Sequence, residues 1–346
     1  MKPPAWQRAR PLGRSGLWVP PIALGTMTFG GVGLFSALGA AQDAEAAEFV
    51  ARCLDAGANL FDTADFYSGG EAEAMLGRAL GSRRDEALIA TKVFLRTEPG
   101  PNGAGLSRHH IVRSCEASLR RLGTDWIDLY QAHGFDPWTP VEETLAAFDD
   151  LVRSGKVRYL GCSNFAAWQL MKSQAVAEQR GTAHYVAHQI YYNLVGRDIE
   201  VEIEPACRDQ GVGLLVWSPL AGGFLSGKYT RHGDAPPDSR RSRWVDEVEK
   251  FDLDLGYAVV DVLRDIARDH GASPSQVALN WLLAKPSVSS VIIGARTLAQ
   301  LDDNLAVLEW SLNEAEVARL DAASAVAVPY PQWHHGMYRA DRLEQG

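Results

Sequence analysis

The chain has 346 residues, 46% of them hydrophobic and 22% charged, which suffices for one large buried core. Its formal net charge of −9 argues against a nucleic-acid partner and against an anionic membrane surface. The four cysteines (Cys53, Cys115, Cys162, Cys207) are scattered with no C-x-x-C, no stretch approaches the roughly 18–20 apolar residues of a membrane span, and residues 1–8 lack an apolar signal core, so a reduced, cytoplasmic protein is expected.

Residues 9–20 read as a short hairpin turned at Arg14-Ser15-Gly16, and 21–26 as a first apolar strand. The Gly-rich loop Phe29-Gly30-Gly31-Val32-Gly33 and a small-residue insertion at 33–42 follow. Helix and strand patterns then alternate. Helices are expected at 43–56, 71–80, 107–122, 140–154, 166–179 and 199–210, and strands at 59–64, 87–93, 126–133, 157–162, 184–190 and 212–217. Ser107 and Thr139 suit N-caps, Pro140 suits N1, and Gly57, Gly81 and Gly123 suit helix stops. After an irregular segment, 219–250, come helices at 254–269 and 274–284, a strand at 288–293, and helices at 297–308 and near 314–324.

Eight short strands rich in Val, Ile and Leu, each followed by helix, predict a (β/α)8 TIM barrel with an N-terminal hairpin and a long loop after the seventh strand. A doubly wound sheet shows the same alternation, but it gathers its site at one switch point. Here the polar residues of interest recur after many strands, and no linker divides the chain. One domain over 1–346 is expected, with the tail 325–346 folding over the barrel mouth.

Active sites of such barrels lie at the C-terminal strand ends. Asp62 and Tyr67 follow the second strand, Lys92 the third and His133 the fourth. A free phenol has a pKa near 10, and a nearby ammonium lowers it by favouring the phenolate. Asp62 paired with Lys92 would keep that ammonium charged, and His133 would direct a donor at a substrate oxygen. Such a set suits proton exchange with a developing alkoxide. Singly, each residue has an ordinary structural explanation, such as a surface ion pair or a core histidine. Their joint occurrence at successive strand ends favours chemistry.

Several segments carry a resemblance: Leu24-Gly25-Thr26-Met27-Thr28-Phe29-Gly30, Phe61-Asp62-Thr63-Ala64-Asp65-Phe66-Tyr67, Ala90-Thr91-Lys92-Val93, Gly161-Cys162-Ser163-Asn164-Phe165, the run Trp217 to Tyr229, and Val291-Ile292-Ile293-Gly294-Ala295-Arg296. Together they resemble the aldo-keto reductase superfamily from about Arg10 to Leu320, in its bacterial and potassium-channel-β-subunit-like branch. One departure is Tyr67-Ser68-Gly69-Gly70, where the family usually shows Tyr-Gly-x-Gly. The resemblance implies an oxidoreductase that moves hydride between NADP(H) and an aldehyde or ketone and its alcohol. NAD(H) is the alternative cofactor. Tyr67 is implied as general acid, tuned by Lys92 and Asp62, with His133 orienting the carbonyl. Ser163, Asn164 and Gln189 are implied to hold the carboxamide and Trp217 to stack on the ring. Ser218, Pro219, Leu220, Gly222 and Lys228 line the pyrophosphate in this reading. Gly294, Arg296, Gln300 and Asn304 take the adenosine end, and Arg296 suits a 2′-phosphate. Gly25, Thr26 and Met27 complete the cofactor set.

Substrate walls are expected from Phe29, Tyr67, His133, Trp138, Trp217 and Trp244, with Trp333 in the tail as a further candidate. Within Arg240-Arg241-Ser242-Arg243, Arg243 is either a phosphate clamp or part of a solvated loop face. Gly31-Val32-Gly33 lacks the third glycine of a dinucleotide fingerprint. His109-His110 and His334-His335 read as surface residues, and His184 and His188 as packing or hydrogen bonding behind one strand. Two other classes compete. A slow-turnover NADP(H)-binding regulatory subunit would share the site. A metal-dependent hydrolase would need more ligands than Asp62 and His133.

Overall fold

The computed structural model describes residues 5–37, 41–231 and 251–343. Eight parallel strands close into a barrel in the order β10-β3-β4-β5-β6-β7-β8-β9, as the sequence predicts. They are β3 (Ile22–Gly25), β4 (Leu60–Asp62), β5 (Leu88–Val93), β6 (Ile127–Ala132), β7 (Val157–Ser163), β8 (Tyr185–Tyr191), β9 (Gly213–Trp217) and β10 (Val288–Ile293). Helices α1 (Asp43–Asp55), α2 (Glu71–Leu80), α3 (Arg108–Leu122), α4 (Val141–Arg153), α5 (Ala167–Arg180) and α6 (Ile203–Gln210) cover the outside. Helices Leu253–His270, Pro274–Leu283, Leu298–Leu305 and Glu314–Ala323 follow, and a tail helix spans Gln332–Leu343.

Side chains alternate across a strand, so each barrel strand sends one set inward and one outward. The outward set, including Phe61, Tyr130, Leu160, Val216 and Ile293, packs with the helices as the main core. The inward set starts with an apolar floor: Ala23, Leu60, Ala90, Leu129, Ala187, Leu215 and Ile292. Leu12 and Val19 of the hairpin β1 (Arg10–Pro11) and β2 (Trp18–Val19) plug this floor from below. Gly13 lets the hairpin press against the barrel, for a Cβ there would lie 2.3 Å from the Gly211 carbonyl oxygen. Two residues further along, the same inward parity selects Gly25, Asp62, Lys92, Gln131, Gly161, Gln189, Trp217 and Gly294. The polar layer therefore rests directly on the floor.

Three local readings change. Pro140 is the N-cap of α4 rather than its first turn. The Thr139 hydroxyl donates instead to Asp136 Oδ2 at 2.7 Å, and Asp136 also accepts from the amides of Leu106 and Trp138. His110 is buried beside Ser114, because it falls on the inward face of α3. The tail helix lacked a sequence expectation. Gln332 at its start donates to the Val201 carbonyl and to Glu202, in the segment that follows β8.

Candidate active site

The C-terminal strand ends surround a cavity of about 450 Å³. Beneath its floor Lys92 is fully buried, at 0% exposure, and Asp62 is 4% exposed. Lys92 Nζ donates to Asp62 Oδ2 at 2.6 Å, to the Thr63 carbonyl at 2.8 Å and to the Tyr67 hydroxyl oxygen at 3.4 Å. An ammonium has three protons and here three acceptors, so none is left over. The other carboxylate oxygen, Asp62 Oδ1, accepts from Gln189 Nε2 at 2.7 Å and from Gln131 Nε2 at 3.5 Å. Both lone-pair regions of the buried anion are used, which is what keeps a buried charge tolerable.

Electrostatics sets the protonation states. Burial pulls down the proton affinity of Lys92, but Asp62 and Tyr67 outweigh it and the net direction is up, so Lys92 stays charged. Burial pushes Tyr67 above the ordinary phenol range, against the pull of Lys92. The expected lowering by the ammonium therefore operates without prevailing. His133 is held well below the usual imidazole range by burial and by Lys92. It lines the cavity as a neutral ring, edge-on to Phe66 and Tyr67 at 5.6 and 5.9 Å between centroids. Its Nδ1 is buried without a protein partner. An unpaired acceptor there costs less than an unpaired N–H, so the proton belongs on Nε2.

The rest of the cavity has two flanks. On one, Asn164 Oδ1 accepts from Trp217 Nε1 at 3.1 Å, and Ser163 and Gln189 sit alongside. On the other, Ser218, Ala221, Gly222 and Gly223 adopt left-handed backbone and wrap toward Lys228. A Cβ on Gly223 would meet Lys228 Nζ at 2.9 Å. Gly294 leaves its surroundings open, and Thr297 caps the helix Leu298–Leu305, of which Gln300, Asp303 and Asn304 line the cavity beside Arg296. Backbone amides of a capped helix start and two cations suit a phosphate-bearing ligand. The donors and acceptors at Ser163, Asn164 and Gln189 suit an amide.

Most residues expected from the sequence line this cavity: Gly25, Met27, Asp62, Tyr67, His133, Ser163, Asn164, Gln189, Trp217, Ser218, Pro219, Leu220, Gly222, Lys228, Gly294, Arg296, Gln300 and Asn304. Lys92 lies just below it. Four others do not line it. Thr26 is buried on the outward parity of its strand. Phe29, 1% exposed, packs on Phe49 in the outer core. Trp138 is 92% exposed, in a loop after β6 whose turn is held by its own amide donating to Asp136 Oδ1. Trp333 is half exposed and is not among the lining residues. Arg243 and Trp244 lie outside the described residues. Sequence reasoning missed Gln131, although the inward parity of Leu129, Gln131 and His133 marks it. It also missed Phe35, Phe66, Ser275 and Asp303. Among the described residues no helix is long and apolar enough to cross a membrane, and no group of three or more His, Cys, Asp or Glu is placed to hold a metal ion.

A closed (β/α)8 barrel with one polar layer and a deep cavity at its C-terminal rim is the architecture of a barrel enzyme. The chain belongs to the aldo/keto reductase family, a family of oxidoreductases, whose model matches residues 21–325. It is 40% identical to the uncharacterized oxidoreductase YrpG of Bacillus subtilis, over 89% of this chain and 93% of that one. It is 37% identical to a probable voltage-gated potassium channel subunit beta of Oryza sativa (86% and 90% covered) and 32% identical to versiconal hemiacetal acetate reductase of Aspergillus parasiticus (90% and 95%).

Proposed function

We propose that this chain is an NADP(H)-dependent carbonyl reductase that interconverts an aldehyde or ketone with its alcohol. Bound nicotinamide supplies or accepts the hydride. The chain's own residues manage the proton. The observation that carries the reading is the bonding of Lys92: its third N–H points at the Tyr67 oxygen. A phenol oxygen that accepts from Lys92 has its own O–H free to point elsewhere, and Tyr67 lines the cavity. A carbonyl oxygen there receives one hydrogen bond from Tyr67 and one from His133 Nε2. As the oxygen gains negative charge it takes the Tyr67 proton, and the phenolate left behind sits against the Lys92 ammonium. Asp62 holds that ammonium in place. Ser163, Asn164 and Gln189 would bind the carboxamide, and Trp217 would flank the ring. The left-handed turn from Ser218 to Gly223 with Lys228 would receive the pyrophosphate. Arg296, with Gln300 and Asn304, would favour a 2′-phosphate and hence NADP(H) over NAD(H). The tail 325–346 over the mouth is part of the same reading.

Phe35 and Phe66 replace Phe29 and Trp138 as the proposed substrate walls. Phe35 stands 5.1 Å from Phe66 and 5.5 Å from Tyr67 between ring centroids, which makes an apolar rim beside the proton donor. The test is NADPH oxidation with a panel of aldehydes and ketones, for the wild type and Tyr67→Phe. Turnover is expected to fall by about 10²–10⁴-fold in the variant, with NADPH affinity within about threefold of wild type. A variant that keeps most of its activity refutes the assignment. The channel-subunit relatives motivate a second reading, an NADP(H)-binding regulatory subunit. NADPH binding without turnover on any carbonyl would support it.

A further inference from the structure

Asn164 is a hub built on strained backbone. Its φ of 57° is left-handed, where a non-glycine residue persists only if its surroundings hold it. Its amide donates to the Gln189 carbonyl at 3.1 Å, and its side chain donates to the His133 carbonyl at 3.1 Å and to Ser163 Oγ at 3.0 Å. The next amide, of Phe165, leaves the strand ladder and donates to a side chain: Nε2 of His188, at 3.1 Å. His188 is fully buried on the outward face of β8, behind Gln189. Its Nδ1 lies 3.5 Å from Sγ of Cys207 on α6.

We propose that His188 is a positioning residue for the Ser163–Asn164 corner: a neutral imidazole protonated on Nδ1, it accepts the Phe165 amide through Nε2 and so fixes Asn164 in its left-handed state against Trp217 and His133. The tautomer follows from hydrogen-bond chemistry. An N–H can be accepted only by a bare ring nitrogen, so Nε2 has no proton. The single proton of a neutral ring is then on Nδ1, where the Cys207 sulfur is a weak acceptor. Protonation on Nε2 would destroy the acceptor and strand a cation beside the ring of Phe165, the cross-strand neighbour Cys162 and Cys207. Burial holds the ring's pKa down at about 3, in agreement with this neutral state. None of the expected site residues includes His188, because it faces away from the cavity and acts through one backbone amide.

The inference rests on the reading that Ser163, Asn164 and Gln189 hold the nicotinamide carboxamide, and the test separates the two. His188→Leu removes the acceptor at similar volume and leaves the Phe165 amide buried and unpaired. His188→Gln offers a carbonyl oxygen at comparable reach. NADPH titrations followed by nucleotide fluorescence are expected to show binding weakened about tenfold in His188→Leu and restored to within about threefold in His188→Gln. Independently of folding in either variant, ¹⁵N-histidine NMR of the wild-type protein is expected to show one neutral, Nδ1-protonated ring that does not titrate between about pH 5 and pH 8. That signal should vanish in His188→Gln. An Nε2-protonated or titrating His188, or a folded His188→Leu that binds NADPH as tightly as wild type, overturns the inference. If the wild type itself does not bind NADPH, the proposed function falls, and the tautomer still decides the role of His188.

Discussion

Replacing Lys92 by Met tests whether the buried ion pair is one coupled unit. The substitution keeps an unbranched side chain in a site of 0% exposure but removes the donor to Asp62, Thr63 and Tyr67. Breaking a buried pair from one side typically costs 3–5 kcal/mol, because a charge is left behind. Asp62 keeps its 2.7 Å bond from Gln189, so the lower end, about 3 kcal/mol, is expected here. At roughly 2 °C per kcal/mol for a chain of this length, that lowers the melting temperature by about 6 °C. Carbonyl reduction should fall by about 10²–10⁴-fold in the same variant. The double variant Lys92→Met/Asp62→Leu removes both charges. It should recover at least half of the lost stability and none of the activity, since an apolar pair often replaces a buried ion pair at little cost. Thermal melts and NADPH oxidation on the three proteins provide the measurement. A single variant that melts within about 1 °C of wild type, or a double variant less stable than the single, refutes the coupling.

Other outcomes follow from the same geometry. Tyr67 keeps its proton at neutral pH because burial holds its affinity up, so reduction should stay nearly flat from about pH 6 to pH 9, while alcohol oxidation rises with pH across that range. A reduction rate that falls steeply near pH 7 would contradict this. Arg296→Ala should weaken NADPH by about tenfold and leave NADH within about twofold, as loss of a charged hydrogen bond to phosphate implies. Equal loss for both nucleotides would mean that Arg296 does not read the 2′-phosphate. Phe35→Ala should raise KM for aryl aldehydes several-fold more than for short aliphatic ones, because only the larger substrates reach the rim ring. Equal effects on both would remove Phe35 from the substrate wall.

The sequence carried the barrel because two periodicities coincide in it. Strand-length apolar runs recur eight times, and glycines such as Gly123 end helices where the pattern stops. Asp62 and Lys92 were legible because each stands one alternation beyond an apolar floor residue, and His133 because it stands two beyond Leu129. Gln131 has the same parity, but an amide offered no chemical reason to single it out. Phe35 was hidden for a different reason: it lies in a short 3-10 turn, Gly33–Ala37, with no repeat to orient it, and only the closed barrel brings it to Tyr67. Trp138 misled because aromatic content in a rim loop says nothing of direction, and the hydrogen bonds from Trp138 and Thr139 to Asp136 that shape this loop have no periodic signature. His188 reads from sequence as packing or hydrogen bonding behind its strand, and both describe it. Its acceptor role depends on a backbone turn at Asn164 that no local pattern announces.

The hairpin below the barrel has a consequence for traffic. With Leu12 and Val19 set under the apolar floor, solvent has no approach to Lys92 or Asp62 from that end. In the proposed reaction, the cavity that Tyr67 lines then offers a path for replacing the proton it gives up, and it is also the route by which the alcohol departs. Water and product therefore share one opening, and reprotonation of the donor is coupled to the emptying of the cavity in that reading.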